Sequence, residues 1–257
     1  MKAVLFGAAA IVLAIVTPTV AADLTPAPVV EDLVAAPADP WSGFYVGAHA
    51  GYGWGNRNGC GDLGINLLNF ALIPVFPIES CDAAPDEFTY DYDQEGGLFG
   101  VQAGYNWMAA ESFLVGVEFS ASLANITGEL DGLFGGVGTW DGLATATAKA
   151  GFTMDRVLVY GEAGLGLAGA SFEGDLGCAF DMNHAGPLAG AGVSFKVTDS
   201  MSIDLKYQHI WLGADQASCN STALAIDPAF LEIPTELRTE GSLDVIKLGL
   251  NFQLGNP

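Results

Sequence analysis

Residues 114–122 read Leu-Val-Gly-Val-Glu-Phe-Ser-Ala-Ser and follow directly on Phe113. One parity collects Phe113, Val115, Val117, Phe119 and Ala121. The other collects Leu114, Gly116, Glu118, Ser120 and Ser122. A period of two with one apolar face is the pattern of a β-strand. The second face is small or polar and holds a single carboxylate. A strand with hydrocarbon on one side and a narrow polar interior on the other has this composition. A carboxylate in such an interior needs a cation beside it. Glu118 therefore predicts a basic residue on another inward face.

Residues 139–153 supply it. Trp140, Ala144, Ala146, Ala148, Ala150 and Phe152 read as outward, and Thr145, Thr147, Lys149 and Gly151 as inward. Lys149 lies on the strand after Glu118 and faces the same interior. The alternation recurs at 44–54, 98–108, 157–168, 186–197 and 201–212. In the closing strand Ile246, Leu248, Leu250, Phe252 and Leu254 face out, while Lys247, Gly249, Asn251 and Gln253 face in. Aromatics at both ends of the first strand, Phe44 and Trp54, suit the two membrane interfaces. The expected fold class is all-β: an eight-stranded antiparallel up-and-down transmembrane β-barrel with long extracellular loops. Short turns fall at 109–112, 154–156 and 198–200, on the periplasmic side. Long connections fall at 56–95, 125–138, 171–184 and 213–241, on the outer side. Closure leaves no unpaired strand edge in the bilayer.

Bulk composition agrees. Of 257 residues, 51% are hydrophobic and 15% charged, too few charges to cover a soluble surface. The formal net charge of −22 repels nucleic acid, so no nucleic-acid partner is expected. Residues 1–22 read as a signal peptide: Lys2, an apolar run over 3–16, and Val20-Ala21-Ala22 before Asp23. Residues 23–40, with Pro26, Pro28, Pro37 and Pro40, read as a periplasmic linker. Residues 41–257 form the barrel. Four cysteines, Cys60, Cys81, Cys178 and Cys219, predict disulfides in an exported chain, with three connectivities open. They have no C-x-x-C spacing and no flanking His, so no metal site is expected.

Three motifs carry little chemistry. Gly164–Gly169 fits G-x-G-x-x-G, but an acidic loop follows where a dinucleotide site needs a helix. Asp91-x-Asp93-x-Glu95-Gly96 resembles the start of a calcium loop, yet Gln102 stands where the bidentate Glu belongs. His49, His184 and His209 pair with no visible Ser and Asp, and Ser202 lies on the parity opposite His209. No enzyme activity and no cofactor are expected.

The chain resembles the eight-stranded OmpA-like transmembrane barrels, and among them the small surface-exposed outer-membrane proteins common in alphaproteobacteria. The residues carrying the resemblance are LVGVEF at 114–119, ATAKAGF at 146–152, VYGEAGLG at 159–166, LKYQ at 205–208 and LGLNF at 248–252. It covers essentially the whole chain and implies the outer membrane of a Gram-negative bacterium. In that family paired charges fill the lumen, which implies Glu118 against Lys149 with Glu162, Asp204 and Lys206 nearby. Some relatives carry a carboxylate where Ser194 stands, which implies different wiring of the second cluster. Relatives commonly end on an aromatic; here Leu254 holds that place, and Phe252 serves in part instead.

Two apolar pieces lie in outward connections that should be polar. One holds Leu67, Leu68, Phe70, Leu72, Val75 and Phe76; the other holds Leu224, Ile226, Phe230 and Leu231. They read equally as a cap over the mouth and as a partner-docking surface. Cys60–Cys81 would close the first piece, and Cys178–Cys219 would tie the third loop to the fourth. The leading expectation is a structural barrel with a charge-plugged lumen and acidic, disulfide-closed surface loops for interaction. The alternatives are a small porin passing ions or small solutes, and an adhesin or assembly subunit docking through its apolar loops. Expected partners are the lipid bilayer, lipopolysaccharide, and a protein or second copy met through the loops.

Overall fold

The computed structural model describes residues 41–63, 89–130, 136–174, 179–221 and 233–254. The chain divides into two units, Met1–Pro37 and Ala38–Pro257; the first lies outside the described residues. So do the segments 1–22 and 23–40 read as signal peptide and linker.

The second unit holds eight strands: β1 (Gly43–Leu63), β2 (Thr89–Ala110), β3 (Phe113–Leu130), β4 (Gly136–Met154), β5 (Val157–Gly174), β6 (Ala179–Thr198), β7 (Met201–Ser221) and β8 (Ile233–Gln253). Each pairs with its sequence neighbours, and β1 pairs antiparallel with β8, so the barrel is closed. Three tight turns join β2 to β3, β4 to β5 and β6 to β7. At the turn before β5, Asp155 takes a positive φ of 54°, a conformation that Asp tolerates better than most side chains. Each turn is tied to a neighbouring strand end: Thr153 N of β4 donates to Ser112 O at 2.9 Å and Lys196 N of β6 to Arg156 O at 2.8 Å.

The alternation places side chains as the sequence predicts in all eight strands, with one local exception. Phe99 and Phe119 are each 63% exposed on the outer wall, a cost in water that disappears in hydrocarbon. The exception is Trp140, expected outside and found inside at 4% exposure. The pairing register shifts between Trp140 and Gly142 on β4, opposite a second shift between Leu123 and Ile126 on β3. A β-bulge inserts one residue and flips parity beyond it. Lys149 and Thr147 therefore point inward on odd positions, and Trp140 on an even one.

The strands also run longer than the lipid-facing alternation indicates. At a rise of about 3.3 Å per residue and a tilt of about 40°, Phe44 to Trp54 spans about 25 Å, the height of an apolar belt. Yet β2 has 22 residues and β3 has 18. The predicted connections 56–95, 125–138, 171–184 and 213–241 are shorter than expected, because strand structure continues through Leu63, from Thr89, through Leu130, from Gly136, through Gly174, from Ala179, through Ser221 and from Ile233. Above the belt the outward positions turn polar. Asp91, Asp93 and Glu95 are exposed while Tyr92 and Gln94 point in, so the segment keeps its alternation but loses its lipid face.

The interior is layered. Towards the turn end lie charged and hydrogen-bonding groups. Towards the outer end Leu98, Ile126, Trp140, Leu143, Leu188, Ile210, Leu243 and Val245 form one apolar cluster with Ala168, Ala170 and Leu212. A smaller cluster of Trp41, Leu114, Leu158 and Tyr160 closes the turn end.

Candidate functional site in the barrel lumen

β3 brings Glu118 into the lumen at 3% exposure, and β7 brings Lys206 at 2%. Lys206 Nζ donates to Glu118 Oε1, a closer contact than any other to this carboxylate. Lys149, on β4, stands 3.6 Å from Glu118 Oε2. Between them stands Tyr45 of β1. Its hydroxyl accepts from Lys149 Nζ at 2.7 Å and donates to Glu118 Oε2 at 2.7 Å. The Lys149 ammonium also sits 4.5 Å from the Tyr45 ring centroid. Glu118 is thus held from three strands besides its own.

Asp204 forms a second node. It lies 3.4 Å from Lys206 Nζ, accepts from Tyr160 Oη at 2.9 and 3.0 Å, and accepts from Ser194 Oγ. Ser194 is therefore a donor to this carboxylate. Glu162 is also in the lumen, and its strand position faces Lys149 in register. Its hydrogen bonds come from Thr147 at 3.1 Å and Gln208 at 2.9 Å, and no cation reaches it within 4.0 Å among the described residues.

Space for these long side chains comes from glycine. A Cβ on Gly192 would meet the Tyr160 ring and hydroxyl at 2.5 Å, and one on Gly104 would meet the Tyr45 hydroxyl at 2.3 Å. Neither position tolerates a side chain while the tyrosine holds its carboxylate.

Sequence reading missed several lumen groups. Tyr45 and Tyr160 fall on the inward parity of 44–54 and 157–168, but nothing in the pattern shows that their hydroxyls reach carboxylates two strands away. Lys247 of β8 is 1% exposed; its hydrogen bond to Ser120 Oγ is long at 3.5 Å, and no carboxylate pairs with it among the described residues. His49 Nε2 lies 2.8 Å from Ser122 Oγ, and His209 Nδ1 lies 2.6 Å from Asp244 Oδ1. The expectation concerned a histidine with both Ser and Asp; in these contacts each histidine has one of the two. The two contacts are on opposite sides of the wall, His49 in the lumen and His209 outside.

At the outer end, Arg57 of β1 lies over the Trp140 ring, 4.2 Å from its centroid, and beside His184 of β6. The G-x-G-x-x-G stretch lies wholly within β5, and Asp91, Asp93 and Glu95 within β2. The docking residues Leu67, Leu68, Phe70, Leu72, Val75, Phe76, Leu224, Ile226, Phe230 and Leu231 lie outside the described residues, as do Cys81 and Cys178. Cys60 and Cys219 fall at the outer ends of β1 and β7, opposite Arg238 and Thr235 of β8.

Comparison with known proteins places the chain. Residues 9–227 match the family model described as outer membrane protein beta-barrel domain. The 31 kDa outer-membrane immunogenic protein of Brucella melitensis is 28% identical over 239 residues, covering 85% of this chain and 87% of that protein. The 22 kDa outer membrane protein of Rhizobium leguminosarum bv. viciae is 27% identical over 176 residues, covering 67% and 65%. Among solved structures, OprG from Pseudomonas aeruginosa aligns with a TM-score of 0.50 at 12% identity, over 83% of this chain and 97% of that one. At that identity the likeness is one of fold.

Proposed function

The chain belongs to the outer-membrane protein β-barrel domain family and resides in the outer membrane of a Gram-negative bacterium, and we propose that within this family it is a structural barrel with a sealed lumen. The apolar layer across the outer half of the lumen carries this reading. Leu98, Ile126, Leu143, Leu188, Ile210, Leu243 and Val245 are each at most 4% exposed. An ion crossing there would leave water with no polar partner, at several kcal/mol or more. Beneath it the Glu118–Lys206–Asp204 network fills the section with fixed charge, and an eight-stranded barrel is narrow enough for side chains to fill. Charge and apolar layers in series disfavour the porin reading.

The barrel is not an enzyme in this reading. His49 Nδ1 makes no hydrogen bond to a carboxylate among the described residues, so the Ser122–His49 contact lacks the acid of a triad. At the His209–Asp244 contact the hydroxyl present is the Tyr207 phenol, which donates to the same Asp244 Oδ1, and no Ser or Thr hydroxyl bonds His209 among the described residues. Function then resides in the outer loops, closed by disulfides and meeting lipopolysaccharide or a protein partner. Liposome swelling tests the seal. Proteoliposomes of the full chain should swell in isosmotic small sugars or amino acids no faster than empty liposomes. Swelling that scales with protein content and falls with solute size would establish a porin.

A further inference from the structure

We propose that Arg57, at the outer mouth of the barrel, forms a binding site for a small carboxylate. The proposal is independent of whether the lumen conducts, since the site lies on the outer side of the apolar layer. Arg57 is 3% exposed and carries a guanidinium with five N–H donors and no acceptor. A buried charge calls for an opposite one. Lys206, also buried, has two carboxylates. Arg57 has none within 4.0 Å among the described residues, and its hydrogen bond there goes to His184 Nε2 at 3.2 Å. His184 Nδ1 lies 3.3 Å from Gly213 O, which fixes the proton on Nδ1 and leaves Nε2 to accept from the guanidinium. One hydrogen bond leaves most of the five guanidinium N–H groups for a ligand.

Strand parity explains why no neighbour fills the role. Arg57 is opposite Tyr92 on β2 and Gly241 on β8. Asp91 and Asp93 flank Tyr92, so both point to the outer wall. The alternation that displays the acids outside denies Arg57 a carboxylate inside.

The guanidinium also lies against an aromatic face. It stacks on Trp140, whose Nε1 donates to Gln94 Oε1 at 2.6 Å, and Gln94 Nε2 donates to Gly138 O at 3.2 Å. A planar fork fixed on an aromatic face suits the two oxygens of a carboxylate. One guanidinium neutralises one charge, and on a chain of net −22 a monoanion is admitted more readily than a phosphate dianion.

The test uses the full chain refolded in detergent micelles with nitrogen-15-labelled arginine. The chain has three arginines, so R156K and R238K assign the Arg57 Nε–H signal by elimination. Sodium acetate is titrated against sodium chloride at constant ionic strength. The expected result is a saturable shift of the Arg57 signal with acetate at millimolar concentration. Chloride should give none, and the Arg156 signal should not saturate. W140L, which removes the platform, should weaken acetate binding at least fivefold. An Arg57 signal that ignores acetate, or that responds equally to chloride, overturns the proposal. So does an Arg57 signal that already shows contact with a carboxyl group of the chain and cannot be displaced.

Discussion

At the scale of the residue, Glu118 decides how the lower lumen is organised. Its strongest partner is Lys206, and Lys149 reaches it directly only at 3.6 Å, with Tyr45 as the closer link. Removing one member of a buried pair leaves an uncompensated charge, at about 3–5 kcal/mol. Lys206→Met should therefore destabilise the barrel by about that much, and Lys149→Met by less, as measured by urea unfolding in micelles. Glu118→Gln on the Lys206→Met background should recover at least about 1 kcal/mol of coupling; strict additivity would mean that the pair is not formed. Gly192→Ala should push Tyr160 off Asp204 and cost about 1–3 kcal/mol by overpacking, while Gly192→Ala with Tyr160→Leu should recover part of it. No recovery would show that the glycine serves the backbone instead.

At the scale of the element, the strands were legible where lipid faced them. Ala146–Ala150 and Leu248–Phe252 alternate cleanly, and their inward residues follow. The parts above the belt were not legible, since Asp91, Asp93 and Glu95 read as a loop once their outward face became polar. Trp140 was misplaced because a bulge leaves no trace in residue type; only pairing register reveals it. Tyr45, Tyr160 and Lys247 were visible as inward residues, but their partners depend on closure of the barrel. Amide exchange tests the strand extensions. Backbone amides at 56–59 and 91–95 should be protected to a degree comparable with 45–54. Exchange at the rate of a free loop would put the strand ends back at the belt.

At the scale of the whole molecule, the barrel is a wall with two interior layers of opposite character. The charged layer ties β7 to β3 directly and β4 to β3 through β1, and in the proposed reading the apolar layer closes the path across the membrane. The layers make separable predictions. Shortening the apolar one, as in Leu188→Ala with Ile210→Ala and Leu243→Ala, should open ion leakage; the unfolding cost of each truncation should be about 2–5 kcal/mol. Neutralising Glu118 together with Lys206 should lower stability but leave the seal intact. The most direct measurement of the sealed lumen is single-channel current through the purified full-length barrel in a planar bilayer. The wild type should show no stable open level, and the triple alanine variant should show one. Long-lived open currents in the wild type would contradict the account.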